Sequence, residues 1–384
     1  MKTPVYLDHH ATTPLDPRVL DVVTRVTRDH FGNPASAGHA FGWAAARLVE
    51  TAREQVAGLI GAAPREIVFT SGATEADNLA LLGAARAAAG GGRRTLVRTN
   101  LEHPAVSAPL DHLAAHEGWR VRVVTSGPDG LVAPEAVAAV VDADTLLVAV
   151  IGAQNEVGTV QPLAEIAAVC RRVGALLHVD AAQAAGRVDL DVARDGLDLV
   201  ALSAHKLYGP KGVGALYVRR RDPRVTLAPL VFGGGQERGL RAGTLNVPAI
   251  VGFGEACRLA AAEREEENRR VRSLRDRLWE GLRSALPDVH LNGDPERRLP
   301  GNLNVSFGGV PRGRLVGALT TLALSTGAAC SSADGEPSPV LAALGVPDDL
   351  AAASLRIGLG RFTTEAEVDF AAETIIAAVR RLRG

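Results

Sequence analysis

The sequence of 384 residues predicts an α/β protein, with a large domain around a mostly parallel seven-stranded sheet and a smaller α+β domain. A chain of this length exceeds a comfortable single core, so two domains are expected. Short apolar runs alternate with helical periods between about residues 40 and 260, which is typical of a parallel sheet covered on both faces. A long helical period then follows and leads into the second domain.

Seven apolar runs are predicted as the strands of the sheet. They cover residues 67–70, 95–99, 121–125, 146–151, 176–180, 199–203 and 215–218. A helix is predicted over 41–60, and a longer one over 254–286, because apolar residues recur there at helical spacing. We predict that residues 15–261 form the large domain, and that residues 1–14 and 262–384 form the small domain.

Composition narrows the possible functions. Hydrophobic residues make up 47%, charged residues 22%, and the net charge is −1, so neither a nucleic-acid nor a membrane partner is expected. No apolar stretch is long enough to span a bilayer, and the first residues lack the apolar region of a signal peptide. A cytoplasmic location is therefore the expectation. The three cysteines have no paired spacing, and no metal site is predicted.

Lysine is rare in this chain. It occurs only at Lys2, Lys206 and Lys211, and the other basic residues are arginines. Arginine cannot replace lysine where a neutral amine must attack a carbonyl group, because guanidinium keeps its proton in proteins. One of the two lysines within residues 203–212 is therefore a candidate for covalent chemistry.

Polar side chains follow several predicted strands at the point where each strand ends. They are His103, Asn155, Asp180 with Gln183, and Ser203 with His205 and Lys206. Each one alone has an ordinary explanation, such as a helix N-cap or a loop histidine. Ligands collect at the carboxyl ends of the strands in open α/β sheets, so the whole set points to a binding site.

Together these groups describe a site for pyridoxal phosphate. That cofactor needs a lysine amine, here Lys206, and a carboxylate beside its ring nitrogen, here Asp180. The predicted helix start at residues 71–74 offers free backbone N–H groups for a phosphate. The flat imidazole of His103 can cover the ring face.

Six motifs, in order, carry a resemblance that spans essentially the whole chain. They are YLDHHATT (6–13), SGATEADNLA (71–80), EHPAV (102–106), HVDAAQ (178–183), SAHKLYGPKG (203–212) and GGGQERGLRAGT (233–244). Through them the sequence resembles the cysteine desulfurases of iron–sulfur cluster assembly and nitrogenase maturation, within the class V aminotransferase-like superfamily. The resemblance implies an aminotransferase-like fold and a pyridoxal phosphate cofactor.

The resemblance also implies residue roles. Lys206 would hold the cofactor and move protons, with His103 stacked on the ring and Cys330 as the nucleophile. The implied cofactor ligands are Ala73, Thr74, Asp180, Gln183, Ser203, His205, Lys206 and, from the partner subunit of a homodimer, Thr244. Asn155 and Arg356 would bind the substrate carboxylate.

The cysteines differ in their surroundings. Cys170 shares a helical stripe with apolar residues, and Cys257 lies in the alanine-rich start of the long helix, so packing is predicted for both. Cys330 lies among small residues in segment 325–337, whose composition alone leaves a reactive thiol open. The resemblance implies that Cys330 is the nucleophile, in a loop typical of the long-loop group.

The predicted activity is conversion of L-cysteine to L-alanine, with a persulfide formed on Cys330 for transfer to an acceptor protein. A cluster scaffold or a thiolation enzyme would fit as acceptor, and the sequence does not choose between them. A selenocysteine lyase, or another class V enzyme, is the alternative. A homologue that lacks activity and only binds a sulfur-transfer partner is a further alternative, against which Lys206, Asp180 and Cys330 count.

Overall fold

A computed structural model describes residues 3–326 and 338–384 of the chain. The strands are β1 (Val5–Tyr6), β2 (Ile67–Thr70), β3 (Thr95–Thr99), β4 (Arg120–Val124), β5 (Thr145–Ile151), β6 (Leu176–Asp180), β7 (Leu199–Ser203), β8 (Gly214–Val218), β9 (Val289–Leu291), β10 (Asn302–Phe307), β11 (Leu322–Ala323) and β12 (Ser354–Gly358). The helices are α1 (Pro17–Asp29), α2 (Ala40–Leu59), α3 (Ala73–Ala87), α4 (Pro104–His116), α5 (Pro134–Ala138), α6 (Leu163–Val173), α7 (Val247–Ala285), α8 (Arg314–Gly317), α9 (Pro339–Ala343), α10 (Asp348–Ala352) and α11 (Glu365–Arg383). No helix in the described ranges is long and apolar enough to cross a membrane.

The large sheet has seven strands in the order β2-β8-β7-β6-β5-β3-β4. Strand β8 runs antiparallel to both of its neighbours, and the remaining pairs are parallel. Alternate residues of one strand enter two different apolar cores: Val148 packs on one face, whereas Leu147 and Ala149 pack on the other. The prediction of a mostly parallel seven-stranded sheet is confirmed.

The strand positions agree with the prediction to within one residue. One of these differences concerns β8, which begins at Gly214 rather than at 215. Gly214 pairs with Thr70 on one side and Ser203 on the other. A Cβ atom there would lie 2.4 Å from the Leu202 carbonyl oxygen and 2.7 Å from Gly72 Cα, so glycine permits the close strand contact.

The long helix starts earlier than the sequence predicts. We expected it to begin at residue 254, but α7 begins at Val247, where the Asn246 side chain accepts from the Ala249 N–H as N-cap. Its first two turns, 247–254, are apolar throughout, so they give little helical contrast in hydrophobicity. Gly254 packs so closely on α2 that a Cβ atom would lie 2.7 Å from Ala52 Cα, which explains the glycine at this position.

The small domain contains the antiparallel sheet β12-β10-β9, helix α11 and the second half of α7. Strand β1 from the chain start pairs in parallel with β11. Val5 and Leu7 accordingly pack into the same apolar core as Leu278 and Ile357. The domain division at residues 14/15 and 261/262 stays a prediction, because α7 runs through it without a break.

Candidate active site

A cavity of about 510 Å³ lies at the carboxyl ends of the central parallel strands. The predicted residues that line it are Ala73, Thr74, His103, Asn155, Asp180, Gln183, Ser203, His205, Lys206 and Arg356. Adjacent strands end level with each other, since Ile151 of β5 pairs with Asp180 of β6. The strand ends therefore bring residues far apart in the sequence to one place.

Lys206 ends a short turn after β7 and points back over the strand ends. Its Nζ donates to the carbonyl oxygens of His10 at 2.6 Å and Ala11 at 2.9 Å. Burial is the main cause that lowers the pKa of Lys206 to about 8, followed by the positive charges of Arg187 and Arg356. A neutral amine with both N–H groups held by carbonyls keeps its lone pair free for the cavity.

Asp180 is the last residue of β6 and is 4% exposed. One carboxylate oxygen accepts from the Ala182 N–H at 2.9 Å, and no described residue forms an ion pair with it. Burial raises the pKa of Asp180, whereas the Ala182 N–H, His103 and Lys206 lower it. A protonated ring nitrogen would supply the cationic partner that the described chain does not provide.

Two further buried carboxyl groups lie near Asp180. Glu102 accepts from the Thr99 hydroxyl at 2.6 Å and from the Ile151 N–H at 2.9 Å, and burial raises its pKa to about 8. Asp77 lies 2.9 Å from His178 Nε2, and burial raises the pKa of its carboxyl. Both carboxyls thus favour the neutral form.

His103 is the N-cap of α4. Its Nδ1 accepts from the Ala105 N–H at 3.1 Å, so the imidazole proton is on Nε2. Burial lowers the pKa of His103, which favours a neutral ring. The sequence left a loop histidine and a ring-stacking role open for His103; the structure places it at the N-cap of α4 and on the cavity wall, where stacking on a ring is possible.

The start of α3 forms one wall of the cavity. No side chain caps this helix, whose first residues are Ala73 and Thr74, so its free N–H groups can bind an anion. Ser203 and His205 line the same cavity. His205 Nδ1 lies 3.1 Å from the Thr12 hydroxyl, and burial lowers the pKa of His205 to about 4. This donor set fits a phosphate ester.

Arg356 projects from β12 of the small domain into the cavity. Its Nη2 donates to Asp8 at 2.9 Å and to the Ser325 hydroxyl at 3.2 Å, while its buried Nε has no acceptor among the described residues. A guanidinium with a spare buried donor suits a carboxylate ligand. Asn155, from the loop after β5, lines the same space.

Of the predicted site residues that the structure describes, Thr244 does not line the cavity. Thr244 is exposed on the segment before α7. Cys330, and most of the segment predicted to carry it, lies outside the described residues. Cys170 and Cys257 are 1% and 0% exposed, and burial raises the pKa of both thiols, so the prediction that they serve packing is confirmed.

The structure adds residues to which the sequence assigned no role. His10, Thr12, Asp77 and Lys211 line the cavity. His10 and Thr12 belong to the motif at 6–13, one of the six that carry the resemblance. The partner of Asp77, His178, belongs to the motif that ends in Asp180, but contacts between distant segments were not visible in the sequence.

Comparisons with known proteins agree with this geometry. The family model Aminotransferase class-V matches residues 5–370. The chain is 51% identical to "Cysteine desulfurase IscS" of Anaeromyxobacter dehalogenans (strain 2CP-C), with 100% of this chain and 94% of the relative covered. A solved NifS-like protein superposes with a TM-score of 0.90 at 37% identity, covering 98% of this chain and 100% of the other. A structure of SspA in complex with cysteine gives 0.81 at 34% identity, covering 94% and 100%.

Proposed function

This chain belongs to the class V aminotransferase family, and within it to the cysteine desulfurases, and we propose that it converts L-cysteine to L-alanine at the cavity around Lys206 and Asp180. The observation that carries the proposal is a buried amine and a buried carboxylate, neither in an ion pair within the described chain, on the walls of one cavity. Pyridoxal phosphate is the cofactor of this family, and the cavity fits it. When bound, it acts as an electron sink for negative charge at the substrate α-carbon.

Lys206 is the proposed attachment point and proton carrier. Its amine attacks a carbonyl carbon only when neutral, and burial favours that form. Once the substrate amine has taken its place, Lys206 removes the α-proton and later returns a proton to the product. The carbonyl oxygens of His10 and Ala11 hold the Lys206 side chain at the cavity wall.

Asp180 and Gln183 are proposed to orient the ring. The Asp180 carboxylate holds a proton on the ring nitrogen by charge, which a neutral group in the same place could not do. Gln183 is fixed because its Nε2 donates to the His10 carbonyl at 2.8 Å, and it would bind the ring hydroxyl. His103 would cover one face of the ring and keep water from it.

Arg356 and Asn155 are proposed to bind the substrate carboxylate. The free Nε of Arg356 supplies one charged donor, and Asp8 holds the guanidinium in place through Nη2. The carboxylate position then fixes the α-carbon near the Lys206 amine. This arrangement accepts any small L-amino acid, so the sulfur step must supply the selectivity for cysteine.

The sulfur step is proposed to use Cys330. Its thiolate attacks the sulfur of the bound substrate, a sulfur–sulfur bond forms, and the bond from sulfur to the substrate β-carbon breaks. The electron pair of that bond stays with the carbon, which takes up a proton and becomes the methyl group of alanine. The sulfur leaves as a persulfide on Cys330 for an acceptor protein of cluster assembly or thiolation.

A homodimer is part of the proposal. Thr244 is exposed and lies away from the cavity of its own chain, so it is free to contribute to the site of a second copy. Mass measurement in solution, with cofactor retention in Thr244→Ala as the second readout, tests this. A cytoplasmic location likewise stays a prediction of the sequence.

Matched cysteine variants test the proposed activity. With L-cysteine, the wild type should release alanine and carry a persulfide mass on Cys330 alone. Cys330→Ser should bind the cofactor and substrate but release no alanine, while Cys170→Ser should keep activity because Cys170 is buried in packing. Alanine and sulfide release by Cys330→Ser at the wild-type rate, or activity on L-selenocysteine alone, would instead establish a lyase.

A further inference from the structure

Arg187 lies beside Lys206 but does not line the cavity, and the proposed function gives it no role. Its Nη2 donates to the Lys206 carbonyl at 2.8 Å. Its Nη1 donates to the side-chain oxygen of Gln183 at 2.8 Å and to the Gln183 carbonyl at 3.3 Å. Arg187 thus contacts the backbone of one site residue and the side chain of another.

Glu267 and Tyr208 favour the positive charge of Arg187 from a distance, but neither pairs with it directly. Among the residues that the structure describes, its guanidinium forms no ion pair with a carboxylate. Two neighbouring arginines do: Arg356 pairs with Asp8 at 2.9 Å, and Arg361 pairs with Asp16 and Glu267, each at 2.8 Å. Burial of an uncompensated cation costs stability, so its presence beside the site needs an explanation.

We propose that Arg187 is a positioning residue: its charge opposes protonation of the Lys206 amine, and its hydrogen bonds fix the Lys206 backbone and the Gln183 carboxamide. This inference rests on the proposed role of Lys206. In support, Arg187 is the strongest of the charged groups that lower the pKa of Lys206, after burial. Arg187 also lowers the pKa of His10, and its effect there is larger than that of Arg356 or Lys206.

The other charges that face Lys206 do not replace this effect. Arg356 lowers the pKa of Lys206 less, since Asp8 neutralises it, while Asp180 and Asp8 raise that pKa. The adjacent imidazoles have lowered pKa values and are neutral; they are His10, His103 and His205. Arg187 is therefore the cation that offsets the two carboxylates.

The rarity of lysine makes the inference measurable in the cofactor-free full chain. Trace acetic anhydride is applied at several pH values, and acetylation of each lysine is quantified by peptide mass, with Lys2 and Lys211 as internal references. The wild-type midpoint for Lys206 should lie at about 8. Arg187→Gln should raise it by on the order of one pH unit, because a nearby positive charge is lost.

Arg187→Lys is the matched control, because it keeps the charge but loses the forked hydrogen bonds. Its Lys206 midpoint should stay at the wild-type value. An unchanged midpoint in Arg187→Gln overturns the proposal, and so does an equal rise in Arg187→Lys. Arg187→Met serves as a second neutral variant, and thermal unfolding shows which neutral variant is folded, so that its Lys206 midpoint decides.

The labelling experiment is independent of catalysis. It reads the protonation of Lys206 without cofactor or substrate, so it can fail while Lys206 remains the cofactor lysine. Conversely, Lys206→Ala tests the proposed function with no reference to Arg187. The two results therefore separate a wrong role for Arg187 from a wrong role for Lys206.

Discussion

Two arginines of the large domain differ in whether a carboxylate pairs with the guanidinium group. Arg53 of α2 forms two hydrogen bonds to Glu237, at 2.8 and 2.9 Å, and both side chains are almost fully buried. Arg187, beside the candidate active site, has only carbonyl and amide oxygens as acceptors for its guanidinium in the described chain. The charge of Arg53 is therefore paired with an opposite charge, whereas the charge of Arg187 is not paired within the described chain.

The difference follows from what each region holds in place. Glu237 and Arg238 adopt left-handed backbone angles, with φ of 47° and 59°, and Glu237 also accepts from the Phe69 N–H. The Arg53–Glu237 pair thus fixes a strained turn of the segment that carries Thr244. At the site, by contrast, Asp180 and Lys206 lack ionic partners within the described chain, and in the proposed function their partners are ligands.

The largest expected effect is at the candidate active site. Lys206→Ala should abolish activity and the visible absorbance of the bound cofactor, because no other amine takes its position. Lys211→Ala is the matched control: Lys211 lines the same cavity but is exposed, so that absorbance should remain. Loss of absorbance in Lys211→Ala, with retention in Lys206→Ala, would reverse the assignment.

Asp180→Asn should have the next largest effect. The amide keeps the shape and can still accept from the Ala182 N–H, but it cannot hold a ring proton by charge. Turnover should fall on the order of 10²-fold or more, as for other losses of a charge-stabilising group. Steady-state alanine release by the fully loaded variant measures this, and near-normal turnover would exclude the proposed role.

Glu237→Gln should affect stability rather than chemistry. Removing the Glu237 charge leaves the buried Arg53 guanidinium with the exposed Glu50 as its remaining described ionic partner, so the loss should approach about 3–5 kcal/mol of unfolding free energy. Denaturant unfolding measures the loss, and the second substitution Arg53→Met should recover part of it. The cofactor absorbance of the folded fraction should stay unchanged. Equal stability of wild type and Glu237→Gln would show that the pair does not hold the turn.

The smallest effect is a pH dependence of cofactor capture by the cofactor-free protein. The pKa of Lys206 is lowered to about 8, so the neutral fraction rises up to that pH and then levels off. The capture rate should therefore fall about tenfold per pH unit below 8 and be flat above it. Stopped-flow absorbance measures the rate. A rise that continues to about pH 10 would indicate an ordinary amine.

The sequence predicted the parts of the fold that depend on local pattern. The sheet strands are short buried runs such as β6 and β7, so their apolar composition marks them, and polar residues mark where they end. The start of α7 was missed because residues 247–254 are apolar throughout and show no amphipathic period. Gly254 there reflects contact with α2, which a local pattern does not reveal.

The residues of the site likewise include some that the sequence marks and others that only the structure reveals. Lys206, Asp180 and His103 could be identified because each follows a strand and their chemistry requires those residue types. Arg187 and Asp77 could not, since their importance depends on neighbours about twenty to a hundred positions away in the chain. An arginine in an arginine-rich sequence gives no signal until its lack of a carboxylate partner is seen.

In the proposed function, Lys206 is the amine that binds the cofactor covalently. The cofactor-free protein is loaded with pyridoxal phosphate, the product is reduced with borohydride, and the modified lysine is located by peptide mass. The added mass is expected on Lys206 alone, with Lys2 and Lys211 unmodified. Modification of Lys211 in place of Lys206 would contradict it.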